Sequence, residues 1–367
     1  MVKKGNIYKS SVINVFMHKG LLRLNDNELH WLEGRIGTID VQKGCPVQCI
    51  ICGYNAPKYS GSMSWSDYMI LSDSIFDVKE KKGIDILAKQ VLSFSSSEPI
   101  YYYSKDGDIE KTIYHVLTDI ISRHKKETYI TTSGWNYGDN HMQRAAEKIA
   151  EVYDLKNSKL FVYYSIKTVS KRVMNEYDYF LKRSENTSVS DSEFIKESCY
   201  VSNLVHNAQT LAPLGSIKAF YDFQFFDDKD ILLLNSKYAK YASLFSEKFM
   251  TKLYNYFNEK KITNSYFNKR RFTGIGRALN TGDISIDYNS QKITEQLHSN
   301  SSRVDRLYNV EIDGYGRLKL FYGENDSLSK MLVPKEYFAM RAKQSDNSED
   351  KQTYQMLANL QGKELLR

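Results

Sequence analysis

Cysteine is scarce, with four in 367 residues, and so few do not make a disulfide framework in a chain of this length. No segment approaches the ~20 continuous apolar residues that a membrane helix needs. The opening Met1-Val2-Lys3-Lys4 is not followed by a hydrophobic signal core or a small-residue cleavage site. The expectation is a cytoplasmic protein with no membrane partner. Concentrated basic sequence is missing as well. The formal charge is +7, from 51 basic and 44 acidic residues. That excess is spread along the chain, and Lys269-Arg270-Arg271 is its one short basic run. A nucleic-acid groove normally shows a denser stripe, so the charge names no partner and nucleic acid is the weaker reading. None of the seven histidines forms a metal-spaced pair on one predicted helix, and no 20–50-residue repeat is visible. What is present suits a folded chain: 41% hydrophobic and 26% charged residues. The 28 tyrosines imply many buried or cleft-lining rings whose hydroxyls need partners.

Residues 1–35 read as an irregular or hairpin-forming lead, with strand-like runs at 12–16 and 21–24. From Ile36 an alternation begins. Strands are predicted at 36–41, 91–94, 128–132, 160–166 and 217–223. Helical spacing separates them, carried by Ile109, Ile113, Val116, Leu117, Ile120 and Ile121, and then by Met142, Ala145, Ala146, Ile149 and Val152 behind the cap Asp139. Ser190 and Glu193 suggest a capping box for a helix running to Leu211. Strands alternating with helices imply a parallel sheet with function on loops at the strand C-termini. After about residue 230 the pattern changes to a helical stretch at 238–259, a hairpin at 308–320 and a helical tail beyond Pro334.

Three of the four cysteines, Cys45, Cys49 and Cys52, fall within eight residues as C-x3-C-x2-C. Three thiolates on one tight loop can each bind an iron of a cuboidal cluster. With no fourth cysteine nearby, one iron stays open to an outside ligand, as in a catalytic rather than a closed structural site. The remote Cys199 is the chain's own candidate for closing it. Zinc held by three thiolates and a histidine is the competing reading. Zinc motifs usually come as paired half-sites, and no second C-x2-C lies downstream.

The segment Gly44-Cys45-Pro46-Val47-Gln48-Cys49-Ile50-Ile51-Cys52-Gly53-Tyr54 resembles the signature of the radical S-adenosylmethionine (SAM) superfamily. The resemblance implies an α/β fold, a partial (β/α)6 TIM-type barrel over residues 36–230, with a lead at 1–35 and an α+β extension at 231–367. It also implies a 4Fe–4S cluster on the three cysteines whose open iron chelates SAM. An electron from a donor such as flavodoxin or ferredoxin then yields a 5′-deoxyadenosyl radical that abstracts a substrate hydrogen. Ile51, where the family often has an aromatic residue, and Tyr54 are placed beside the cofactor. Ser96-Ser97-Glu98-Pro99 is similar to the Gly-Gly-Glu-Pro turn that grips the SAM amino group, with serine replacing both glycines. Ser133, in a polar turn after the third strand, and Ser165 and Lys167, at the end of the fourth, match the family's SAM-facing positions.

Gly274-Ile275-Gly276-Arg277-Ala278 and the Asp313-Gly314 hairpin resemble a SPASM-type extension. No cysteine follows Cys199, so the auxiliary clusters of that extension are expected to be absent. Cys199 itself reads either as a small helical core residue or as a hydrogen-atom donor to a substrate radical. The functional expectation is a radical SAM enzyme acting on a peptide or a small natural-product substrate, through epimerisation, cross-linking or dehydrogenation. An RNA-modifying radical SAM enzyme and a zinc-bearing module without turnover are the alternatives.

Overall fold

The computed structural model describes residues 19–47, 49, 57–89, 91–95, 97–135, 139–155, 160–166, 170–183, 189–211, 217–225, 236–262, 265–271, 308–322 and 331–366. The run at 12–16 and the segment at 274–278 lie outside them. The strands are β1 Ile36–Ile39, β2 Val91–Phe94, β3 Tyr103–Asp106, β4 Ile109–Thr112, β5 Glu127–Thr132, β6 Leu160–Ile166, β7 Ile217–Phe225, β8 Ser265–Arg271, β9 Tyr308–Ile312, β10 Leu318–Tyr322 and β11 Met331–Leu332. The helices are α1 Lys19–Leu22, α2 Asp26–Leu32, α3 Trp65–Lys82, α4 Ile113–Ser122, α5 Asn140–Leu155, α6 Lys171–Arg183, α7 Asp191–Glu197, α8 Cys199–Leu211, α9 Ser236–Ala239, α10 Ala242–Phe245, α11 Glu247–Glu259, α12 Lys335–Gln344 and α13 Ser348–Leu360.

Nine strands form one sheet in the order β11-β10-β9-β1-β2-β5-β6-β7-β8. The run β1-β2-β5-β6-β7-β8 is parallel throughout, and helices connect each strand to the next. This is a mixed α/β fold, a partial (β/α)6 TIM-type barrel open at β8. Beyond β1 the sheet continues with β9, also parallel to β1, and then with the antiparallel strands β10 and β11. Strands from both sides of residue 230 therefore share one sheet.

The two sheet faces differ as alternation requires. Leu92, Phe94, Ile130, Val162, Tyr164, Tyr221 and Phe223 are buried on one face, where Tyr221 and Phe223 pack on Phe257 of α11. The opposite face carries Thr38, Ser93 and Ser95 and a row of rings that are half-buried up to the exposed Tyr266. Tyr163 stacks on Phe220 at 4.8 Å, and Phe220 on Tyr266 at 5.0 Å.

Local chemistry corrects four readings. The 21–24 run is not a strand: α1 ends at Leu22, Leu24 N donates back to Leu21 O at 3.0 Å in a turn that buries both leucines, and α2 follows with an Asn25–Glu28 capping box. Ile109 lies in the β3–β4 hairpin and is 56% exposed. Helix α4 begins only after Thr112, whose N–H donates to His115 Nδ1 at 3.1 Å. The Ser190 side chain makes no capping bond; Asp191 is engaged by Ser243 and Lys252 instead. The helix expected from there breaks at Ser198, where Glu176 accepts from the N–H groups of Cys199 and Tyr200 and so caps α8. The 238–259 stretch is divided among α9, α10 and α11, with Ser246 capping α11 through Phe249 N. Asp139 does cap α5, accepting from Met142 N at 3.3 Å. Among the described residues no helix is long and apolar enough to cross a membrane.

Candidate functional site

Because the strands are parallel, the segments leaving β1, β2 and β5 gather at one end of the sheet, where such folds place their chemistry. The segment after β1 is tied at its neck. Met63 N donates to Val41 O, Lys43 N to Gly61 O, Ser60 N to Lys43 O, each at 2.8 Å, and Cys45 N to Pro57 O at 3.0 Å. Gly44 has φ +90, and a Cβ there would overlap the carbonyl oxygens of Pro57 and Lys58. Glycine is required at that crossing.

Two cysteines of the loop are described. Neither Cys45 nor Cys49 is in a disulfide, both are half-buried, and Cys49 packs against the hydrophobic core. Two unoxidised thiols four residues apart, on a loop closed at its base, are a soft donor set suited to an iron–sulfur cluster. The third position, Cys52, lies outside the described residues, as do Ile51, Tyr54, Ser96 and Lys167. Among the described residues no group of three or more His, Cys, Asp or Glu stands ready for a metal ion.

Glu98, 2% exposed, joins the loops that follow β2 and β5. Its carboxylate accepts from Thr132 Oγ1, from Ser133 N at 2.7 Å and from Ser133 Oγ at 2.8 Å. The structure thus brings Glu98 and Ser133 together, with Thr132 as the partner that sequence reasoning did not single out. Ser97 donates to Asp40 Oδ1 at 2.5 Å, and Gln42 N donates to the same oxygen at 3.1 Å. Glu98 N in turn donates to Gln42 Oε1 at 3.1 Å. The exits of β1, β2 and β5 are therefore one hydrogen-bonded rim. Removal from water pushes the Asp40 carboxyl up to about 7; the bonds from Ser97 and Gln42 oppose the rise, and Glu311 and Asp313 add to it.

Ser165 is buried near the end of β6, opposite Asp222 of β7. Cys199 is exposed at the first position of α8, so the reading as a small core residue does not hold. Tyr101 is a further residue at the site. Burial pushes its hydroxyl up to about 12, followed by the charge of Glu98, with Asp139 and Cys45 acting in the same sense and Arg172 against them. That places the phenol within electrostatic reach of Glu98 and Cys45. Its sequence signal is its position three residues beyond Glu98, in the 3-10 turn opened by Pro99. Asp40 and Gln42 had only a faint signal, two polar residues at the end of an apolar strand.

The C-terminal hairpin flanks the rim. Asp313 accepts from Tyr315 N, Arg317 N and the Arg317 guanidinium, at 2.9 to 3.1 Å. These bonds fold the β9–β10 turn so that Gly314 lies against Gln42, where a Cβ would overlap the Gln42 carbonyl. Tyr315 reaches Ser60 Oγ at 2.9 Å.

No family model matches the chain, and no curated protein matches it. Among solved structures the chain is similar to SuiB of Streptococcus suis. Against SuiB bound to S-adenosylmethionine, the TM-score is 0.42 at 14% identity, covering 86% of this chain and 70% of that one. Against SuiB bound to its precursor peptide SuiA, the values are 0.34, 12%, 78% and 59%. Against a further crystal structure of SuiB, they are 0.34, 11%, 78% and 60%. The fold itself follows from the order and direction of the strands.

Proposed function

We propose that this chain is a radical SAM enzyme whose 4Fe–4S cluster is held by Cys45, Cys49 and Cys52. The observation that carries the reading is the C-x3-C-x2-C loop leaving the first strand of a parallel sheet, with two cysteines outside any disulfide and a hydrogen-bonded neck. The cluster, when bound with SAM, supplies the electron that cleaves SAM to methionine and a 5′-deoxyadenosyl radical able to take hydrogen from a substrate. The chain's part is to hold and to orient. Glu98 is fixed by Thr132 and Ser133 at the rim, where its charge suits an ammonium group. Ser96, Ser97, Ser133, Ser165 and Lys167 are assigned to SAM, with Ile51 and Tyr54 near its adenine. Cys199 keeps the role of hydrogen-atom donor as a proposal.

The division into a lead (1–35), a core (36–230) and an extension (231–367) belongs to the same reading. We assign a peptide or small natural-product substrate and a flavodoxin- or ferredoxin-type electron donor. The row of rings on the sheet face away from α11 offers such a substrate stacking surfaces. No comparable stripe of described basic residues favours RNA.

The test is anaerobic reconstitution followed by metal, sulfide and product analysis. Loaded protein is expected to hold iron with inorganic sulfide and to release 5′-deoxyadenosine when given dithionite and SAM. Replacing Cys45, Cys49 and Cys52 together by Ala is expected to abolish both. Zinc without sulfide in the purified protein would select the non-catalytic reading instead.

A further inference from the structure

Gln42 has an atom that the chemistry above does not use. Its side chain is 1% exposed. The N–H of Glu98 donates to its amide at 3.1 Å. A backbone N–H only donates, so the atom facing it is Oε1, which fixes the amide orientation and leaves Nε2 as a donor. That Nε2 is buried and has no hydrogen-bond partner among the described residues. Flipping the amide would only set its NH2 against the Glu98 N–H. Nor is the backbone free to carry the donor elsewhere. Gln42 N is bound to Asp40 Oδ1, Gln42 pairs with Ser62 across the loop neck, and Gly314 closes on its carbonyl.

Buried donors are nearly always satisfied, and an orphan calls for a partner that the bare chain lacks. Asn207 Nδ2 is also orphaned, but its amide oxygen anchors Trp135 N, at 2.9 Å, behind the β5 turn. Gln42 lies three residues before Cys45 and spans the gap from the β1 exit to Glu98. Its amide thus sits in the rim made by the exits of β1, β2 and β5.

We infer that Gln42 Nε2 donates a hydrogen bond to an anionic acceptor of the group held on the cysteine loop. Two sources offer that chemistry, a sulfide of the cluster and the carboxylate of SAM. The assignment rests on the radical SAM reading.

The experiment uses the full chain, loaded anaerobically, as wild type, Gln42→Glu and Gln42→Met. The glutamate variant keeps an acceptor for Glu98 N–H and puts an acceptor where the donor stood. The methionine variant is uncharged, should a carboxylate beside Asp40 and Glu98 prevent folding. Read-outs are circular dichroism, iron and sulfide per chain, the midpoint potential of the SAM-free cluster, and the Kd for SAM. If the acceptor is sulfide, the potential falls in the variants while the Kd for SAM stays within twofold. If it is the carboxylate, the potential is unchanged and the Kd rises about tenfold.

Folded, iron-loaded variants that match wild type in both quantities mean that Nε2 serves a water molecule, and the assignment is overturned. It is overturned equally if both variants fail to fold before iron is added, since the amide is then needed by the bare chain. Wild-type protein that takes up no iron and sulfide sinks the radical SAM reading, and this assignment with it. Wild type that loads and binds SAM, with variants no different, sinks the assignment alone.

Discussion

Two buried polar clusters in this chain look alike in composition and differ in closure. Between α3 and α4, Asp119 Oδ2 accepts from Tyr68 at 2.9 Å and from Ser72 at 2.5 Å, and Ser72 also bonds His124 Nε2 at 2.8 Å. A Ser, His and Asp in contact invite a catalytic reading, but Ser72 and His124 are 2% and 3% exposed. Their polar atoms satisfy one another, so the cluster acts as a helix-to-helix tie. At the rim, Asp40, Gln42, Ser97, Glu98 and Ser133 are linked just as densely, yet Gln42 Nε2 is left over. A cluster that closes on itself speaks for stability, and one that leaves a donor over speaks for a ligand.

The largest effect expected from breaking this comparison is on the closed side. Asp119→Ala strips Tyr68 and Ser72 of their shared acceptor, and should cost about 3 kcal/mol in urea unfolding. Iron loading at equal folded concentration should not change; a parallel fall would mean that the tie also serves the site. Next, Glu98→Ala leaves Thr132 Oγ1 and the Ser133 groups without their carboxylate, for about 2 kcal/mol. It should weaken SAM binding more than cluster loading, measured by equilibrium dialysis beside iron analysis. Equal loss of iron would count against the assigned role of Glu98.

Protonation sharpens the contrast further. Asp40 titrates near 7 in the fold against an ordinary 3.8, so the folded state keeps a proton that the unfolded chain gives up. Stability from this group is full below pH 3.8 and is lost as pH rises through 7. Asp40→Asn removes that slope. Its melting temperature should draw above wild type between pH 4 and 7 and hold a constant lead beyond. A lead that shrinks with rising pH would refute the buried-acid account. The smallest effect has the opposite sign. Burial, with Arg123 adding to it and Asp119 opposing, lowers His124 from 6.5 to about 4. The unfolded chain therefore protonates first, and stability falls as pH drops from 6.5 toward 4. His124→Gln should flatten this acid limb by about 1 kcal/mol, read from melting temperatures at pH 5 and 7.

Much of the frame could be read from residue order. The strands at 91–94 and 160–166 coincide with β2 and β6, because each is an apolar run bounded by polar residues, which local sequence shows directly. Leu21 and Leu24 were misread because two apolar residues three apart serve a helix as readily as a short strand. The Ser190–Glu193 pattern failed because Asp191 had tertiary partners in Ser243 and Lys252. At the site, Cys45, Cys49, Glu98 and Ser133 were visible as motifs. Gln42 was not, since its meaning comes from a bond to Glu98 fifty-six positions away and from the lack of a second one.

The pairing of β1 with β9 sets Ile36 beside Val310, so one of the first strands made waits for one of the last. During synthesis the cysteine-loop neck emerges long before Gly314 is available to press on it. A chain cut short before residue 308 would carry all four cysteines and still lack the turn that closes on Gln42.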